Sequence, residues 1–203
     1  MMFGAVENFL NTEEFLEMLN YPYKTCVSNF NDSFYPFINK IIDYTKSFCD
    51  ISEATTIEMW KRDFLEGYLY DYDWHIDYDH YSYDLGNLVL PIVSIIYYPI
   101  ITSMTGGELV LCTEEKEVTY SPKQNSLVIF GPGIWHKTKG GYSTRRLSYM
   151  LNIYKEDFIK NHNYKTLSDD VFNKHKNKIL EGTFVPNTDR SMKNGCSLVS
   201  LRR

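Results

Sequence analysis

Trp74-His75-Ile76-Asp77 sets an imidazole and a carboxylate two residues apart, so on an extended chain both side chains leave the same face and can grip one ion. His136, arriving after the apolar run Ser126–Phe130 and the turn Gly131-Pro132-Gly133, is a candidate for the third donor that such a pair requires. Two imidazoles and one carboxylate on one face of an octahedral ion leave three positions open, an arrangement suited to ferrous iron that must bind further ligands. By itself His-x-Asp is short enough to arise by chance, and a His beside a Trp is more often packed or surface-exposed. The residues downstream alter that balance. Ten positions after His136 comes Arg146, and Arg146 and Ser148 share one face of an expected strand while Arg145 points the other way. A guanidinium and a hydroxyl converging in an apolar interior suit a buried carboxylate, because the planar fork binds both oxygens and stays charged. On an open surface the same residues would be a solvated arginine pair.

These groups need a scaffold that brings distant segments together. The chain has 203 residues, 43% hydrophobic, 23% charged and 16% aromatic, which fits one globular domain and excludes a disordered chain or a rod. The expected domain is 1–203, with N-terminal helices over 1–56, a core over 57–154, and a C-terminal helix and polar tail over 155–203. Asn11 and Glu14 form a capping box before Phe15, Leu16 and Leu19, and a second apolar stripe runs from Phe34 to Phe48 with Ser33 as cap and Pro36 in the first turn. From Ile57 the texture turns to short β-branched and aromatic runs: Leu88–Tyr98, Glu108–Cys112, Glu117–Tyr120, Ser126–Phe130 and Arg146–Tyr154. Such a series predicts a sandwich or barrel with the two helices packed outside. Ser168-Asp169-Asp170 caps a further expected helix that stops at Gly182.

Charge is uneven. Residues 1–136 carry 7 basic against 20 acidic side chains and residues 137–203 carry 14 against 6, which argues against a basic nucleic-acid binder. No apolar run spans a bilayer and the first residues lack a signal-peptide pattern, so a soluble, cytoplasmic protein is expected, with no membrane partner. Cys26, Cys49, Cys112 and Cys196 are scattered without a C-x-x-C pair and are expected to be unpaired thiols.

The order His75-x-Asp77, an apolar strand ending in Tyr97-Tyr98, Gly106-Gly107-Glu108-Leu109, Pro122 with Ser126–Phe130, His136, Gly141 and Arg146-x-Ser148 resembles the Fe(II)/2-oxoglutarate-dependent dioxygenase superfamily, in its prolyl-4-hydroxylase-like branch. The match covers residues 57 to 154. The resemblance implies a mainly β fold with flanking helices, a double-stranded β-helix of the jelly-roll or cupin-like kind. It implies His75, Asp77 and His136 as ligands of Fe(II), Arg146 with Ser148 as the anchor of the distal carboxylate of 2-oxoglutarate, and Tyr98, or in its place Tyr97, as a further donor to that carboxylate. Only one of the two tyrosines can face inward. Ascorbate is the accessory reductant such enzymes could take. Two departures stand out. Asn125 occupies a turn position where the family has Gly, and the stretch from Glu66-Gly67 to His75 is longer than in the most compact relatives. Asn is the ordinary residue most tolerant of a left-handed backbone, so the turn is expected to survive.

The implied activity is hydroxylation of an unactivated C–H bond in a free amino acid or similar small molecule, or in a peptide residue such as proline, with release of succinate and CO2; Asp77 argues for hydroxylation over halogenation. From Glu66 to Asp84 the chain is rich in Tyr and Asp and has no Lys or Arg, which suits a cationic or polar substrate or, equally, a solvated acidic loop with tyrosines packed on the rim. His80, His162 and His175 read as surface residues. A partner or a homodimer that completes the pocket is a further expectation. The competing reading is a cupin-like barrel that binds metal as an isomerase or binding module without 2-oxoglutarate, for which Arg146-x-Ser148 has no use. A structural zinc site is disfavoured, since it prefers four closed ligands and Cys.

Overall fold

The structure, a computed structural model, describes residues 3–19, 26–31, 34–64, 67–69, 72–79, 88–113 and 116–155. The expected helix after Ser168, the tail, and His80, His162 and His175 lie outside these residues, as does Ser33. Elements in chain order are β1 (Phe3–Val6), α1 (Thr12–Leu19), β2 (Cys26–Asn29), α2 (Pro36–Phe48), β3 (Thr56–Phe64), β4 (Gly67–Leu69) and β5 (Tyr72–His75). There follow β6 (Val93–Thr102), β7 (Thr105–Gly106), β8 (Leu109–Cys112), β9 (Glu117–Tyr120), β10 (Ser126–Phe130), β11 (Trp135–Thr138), β12 (Gly141–Ser143) and β13 (Arg145–Tyr154).

A large sheet has the order β1-β10-β6-β13-β3-β2, a smaller one β5-β11-β8-β9, and a third β4-β12-β7. From β3 to β13 the chain passes between the first two sheets and back: β3 large, β5 small, β6 large, β8 and β9 small, β10 large, β11 small, β13 large. That alternation is the double-stranded β-helix, and the mainly β fold with flanking helices is as expected.

The large sheet is covered on both faces, which is why its strands read as nearly continuous apolar runs. One face packs on the helices: Ile57, Ile95, Tyr97, Leu151 and Ile153 share a core with Phe37, Ile38 and Ile41 of α2 and Met18 of α1. The other face meets the small sheet, where Tyr98, Val128 and Phe130 pack on Leu109 and Leu111. Helix α1 starts at the expected capping box, with the Asn11 N–H donating to Glu14 (2.8 Å) and the Glu14 N–H to Asn11 Oδ1 (3.0 Å). Lys40 of α2 pairs with the same Glu14 and ties the helices together. Pro36 opens α2, whose N-cap, Tyr35, makes no side-chain capping bond.

The structure departs from the sequence reading in four places. Strands β1 and β2 extend the large sheet at its two edges within a segment read as helical. Strand β6 starts at Val93, beyond Pro91, which lacks the N–H a ladder needs, and continues past Tyr98 to Thr102. It carries Pro99 inside a central strand because the pairing with β13 is bulged there: between the pairs Tyr97–Tyr149 and Ile100–Leu147, two residues of β6, Tyr98 and Pro99, oppose one of β13, Ser148. Lastly, Cys112 is disulfide-bonded, against the expectation of unpaired thiols, while Cys49 is free. Spacing along the chain carries no information about which thiols the fold brings together. Among the described residues no helix is long and apolar enough to cross a membrane.

At two places the backbone dictates the residue type. Gly106 has φ of 73°, and a Cβ there would lie 2.2 Å from the Gly140 oxygen, while a Cβ on Gly141 would lie 2.0 Å from the Thr105 oxygen, so the β7–β12 crossing admits only glycine at both. Asn125 takes φ of 55°, as anticipated for a residue standing where glycine is usual. Its side chain does more. It accepts from the Leu10 N–H (3.0 Å) and the Tyr97 hydroxyl (2.8 Å) and donates to the Leu10 carbonyl (2.7 Å), fastening the segment before α1 to the barrel.

Candidate functional site

The two histidines meet through strand register. His75 ends β5, and antiparallel pairing with β11 sets it directly opposite His136, with the ring centroids 4.1 Å apart. Asp77, two residues on, brings its carboxylate to 3.8 Å from His136 Nε2. One donor atom from each of His75, Asp77 and His136 lies within 4.8 Å of the other two, so a single ion can be reached by all three.

The orientation of both rings is fixed from behind. His75 Nδ1 lies 2.8 Å from the Asp73 carbonyl and His136 Nδ1 lies 3.0 Å from the Ile134 carbonyl. A carbonyl only accepts, so each Nδ1 carries the proton and each Nε2 keeps its lone pair for a metal. Burial, and then the neighbouring His136, hold His75 protonation down to about 3, so its ring is a neutral donor at ordinary pH. The Phe130 ring, 4.8 Å from His136, supports that imidazole from the core side. Nitrogen and oxygen donors without sulfur fit a divalent first-row ion such as Fe(II).

A second group of side chains lies on the inner faces of β6 and β13. Arg146, near the start of β13, is 5% exposed, and its guanidinium sits 5.4 Å from the Tyr98 ring centroid. Arg145 points outward to Asp63 (3.6 Å), as alternation predicts. Ser148 follows Arg146 on the inner face and is buried. The two tyrosines divide as alternation demands: Tyr97 turns toward the helices and Tyr98 into the space between the sheets. Burial pushes the Tyr98 phenol pKa up, against a smaller opposing pull from Arg146, so it remains a donor. The Tyr120 hydroxyl and Arg146 Nε are buried without a hydrogen-bond partner, and the Tyr98 hydroxyl has only the Arg146 guanidinium beside it. Orphaned donors around a buried guanidinium are what a carboxylate would satisfy, so these residues fit the tail of a keto diacid.

Three residues facing the space between the sheets escaped the sequence reading. Tyr120 is one. Glu58 and Arg62 of β3 are the others, standing on the inner face opposite Asn152 and Ser148 of β13. Glu58 accepts from the Tyr154 hydroxyl (3.2 Å), and burial, then the nearby Asp79, push its carboxyl up to about 7. Arg62 lies over the Tyr72 ring (4.3 Å), and Tyr72 in turn meets the edge of His75 at 4.6 Å. The available signal was parity, since Glu58, Trp60 and Arg62 alternate with the core residues Ile57 and Met59.

No protein-family model matches the sequence, and no curated protein does either. Among solved structures, the chain is similar to a Pseudomonas putida prolyl-4-hydroxylase, with a TM-score of 0.52 at 13% identity, covering 76% of this chain and 93% of that one. It is also similar to a 2OG-Fe(II) oxygenase family oxidoreductase from Burkholderia pseudomallei, with a TM-score of 0.48 at 10% identity, covering 76% and 84% of the two chains. A Trichoplax adhaerens prolyl hydroxylase in complex with a hypoxia inducible factor peptide fragment gives 0.49 at 16% identity, covering 75% and 83%. At such identities the likeness is one of fold.

Proposed function

We propose that this chain is an Fe(II)- and 2-oxoglutarate-dependent oxygenase that hydroxylates an unactivated C–H bond of a small molecule, such as a free amino acid, or of a peptide residue such as proline. Succinate and CO2 would be the co-products. The observation that carries the reading is the pairing of two sites in one barrel: three metal donors within 4.8 Å of one another, and between the same sheets a buried guanidinium beside the buried Tyr98 ring, with Arg146 Nε and the Tyr120 hydroxyl lacking partners. A metal-binding cupin-like protein that does not use 2-oxoglutarate has no need of the second.

In this reading His75, Asp77 and His136 hold the iron, and the Asp73 and Ile134 carbonyls keep both imidazoles in the donor tautomer. Arg146, Ser148 and Tyr98 receive the distal carboxylate, whose charge the guanidinium balances in a space closed to water. Bound iron with 2-oxoglutarate supplies dioxygen activation coupled to decarboxylation of the keto acid. The apolar wall of Leu109, Leu111, Val128 and Phe130 excludes competing water, and the chain's remaining task is to place the substrate carbon beside the metal. Arg62 adds a cation near His75 to the acidic character expected of the mouth, so a substrate bearing both signs, as a free amino acid does, fits better than a purely cationic one.

The test is incubation of anaerobically purified protein with Fe(II), 2-oxoglutarate, oxygen and a panel of amino acids and peptides, following succinate. Succinate that rises with one compound supports the proposal and names the substrate. Intact metal binding with no turnover of 2-oxoglutarate under any condition would favour the cupin-like alternative.

A further inference from the structure

Tyr120 ends β9, in the small sheet, and pairs in register with Leu109 of the inter-sheet core. Its ring packs against that core 6.5 Å from the Tyr98 ring, so the phenols come from facing sheets and meet inside the barrel. Among the described residues Arg146 Nε and the Tyr120 hydroxyl are buried with no hydrogen-bond partner, and the buried Tyr98 hydroxyl has only the Arg146 guanidinium beside it. Each such atom costs about 1–3 kcal/mol when left unmet, and folded proteins seldom gather several in one place without something to meet them. The apolar alternative, Phe, would fill the same volume at Tyr120 without that cost.

We propose that Tyr120 donates a hydrogen bond to the same carboxylate as Arg146 and Tyr98, so that the tail of the keto diacid is held by one guanidinium and two phenols drawn from both sheets. The inference rests on the oxygenase reading above and adds a binding residue to it. Because the ligand then bridges β6, β9 and β13, its tail carboxylate joins the large and small sheets.

The experiment is calorimetric titration of Mn(II)-loaded protein, wild type and Tyr120→Phe, with 2-oxoglutarate and with 2-oxopentanoate, an analogue of similar length without the tail carboxylate. Loss of a hydrogen bond to a charged group predicts that Tyr120→Phe weakens 2-oxoglutarate about tenfold or more while 2-oxopentanoate binding and Mn(II) affinity stay within about twofold. Thermal unfolding checks that the variant is folded. If the variant binds 2-oxoglutarate as wild type does, Tyr120 is not a ligand contact and the oxygenase reading stands without it. An equal loss for both acids assigns Tyr120 to packing and overturns the inference as well. If wild type does not bind 2-oxoglutarate, inference and reading fall together.

Discussion

The two faces of the large sheet are built from the same strands and have opposite characters. Toward the helices, β13 presents Leu147, Tyr149, Leu151 and Ile153 to a closed apolar core. Toward the small sheet it presents Arg146, Ser148 and Asn152, all buried, across from Glu58 and Arg62. Neighbouring tyrosines make the contrast at the scale of one residue. The Tyr97 hydroxyl is met by Asn125 at 2.8 Å, whereas the Tyr98 hydroxyl has only the Arg146 guanidinium beside it. One face is satisfied within the chain and supplies stability; the other pairs Glu58 and Asn152 with Tyr154 but leaves Arg146 Nε and the Tyr120 hydroxyl without a partner, at a cost that the first face offsets.

Damage to the first face should therefore lower stability and spare ligand binding. Ile153 is fully buried, and Ile153→Ala is expected to cost about 3 kcal/mol in denaturant unfolding with Mn(II) affinity of the folded fraction unchanged. Equal losses in both measurements would erase the distinction between the faces.

Relief of the second face should act in the opposite direction and more weakly. The Glu58 carboxyl is raised to about 7 from 4.5, so the folded chain binds more protons than the unfolded one across that window. Its contribution is least costly below pH 4.5, and stability falls as pH rises toward 7, where the buried group must ionise among Asp79 and Asp77. Glu58→Gln keeps an acceptor for the Tyr154 hydroxyl and removes the charge. At about 1.4 kcal/mol per pKa unit, the metal-free variant should exceed wild type by roughly 2–3 kcal/mol at pH 8 and match it near pH 4 in thermal unfolding followed across pH. A variant less stable than wild type at pH 8 would show that the ionised carboxylate is supported by its surroundings.

Much of this contrast was legible in the sequence, for a physical reason. Strand parity is a period of two, so His75 with Asp77 and Arg146 with Ser148 could each be assigned to one face, and Tyr98 separated from Tyr97, before any fold was known. The capping box at Asn11 and Glu14 is equally local. Other features were invisible because their meaning depends on contacts between distant segments. Tyr120 and Glu58 are single polar residues in short strands, and only the opposing sheet or the paired strand shows that one lacks a partner and the other is crowded by carboxylates. The bulge at Pro99 shifts parity midway along β6, which alternation cannot foresee. Edge strands β1 and β2 are four residues each, too short for a periodic signal, and Asn125 became a fastening point only because Leu10 and Tyr97 converge on it.

The convergence of His75, Asp77 and His136 on one ion is open to direct titration. Mn(II) added to the metal-free protein should saturate a single site per chain, and Asp77→Ala, which removes the charged ligand while leaving the fold, should weaken it by at least about a hundredfold. Absence of saturable binding to the wild type, or binding that is unchanged in Asp77→Ala, would contradict the shared metal site.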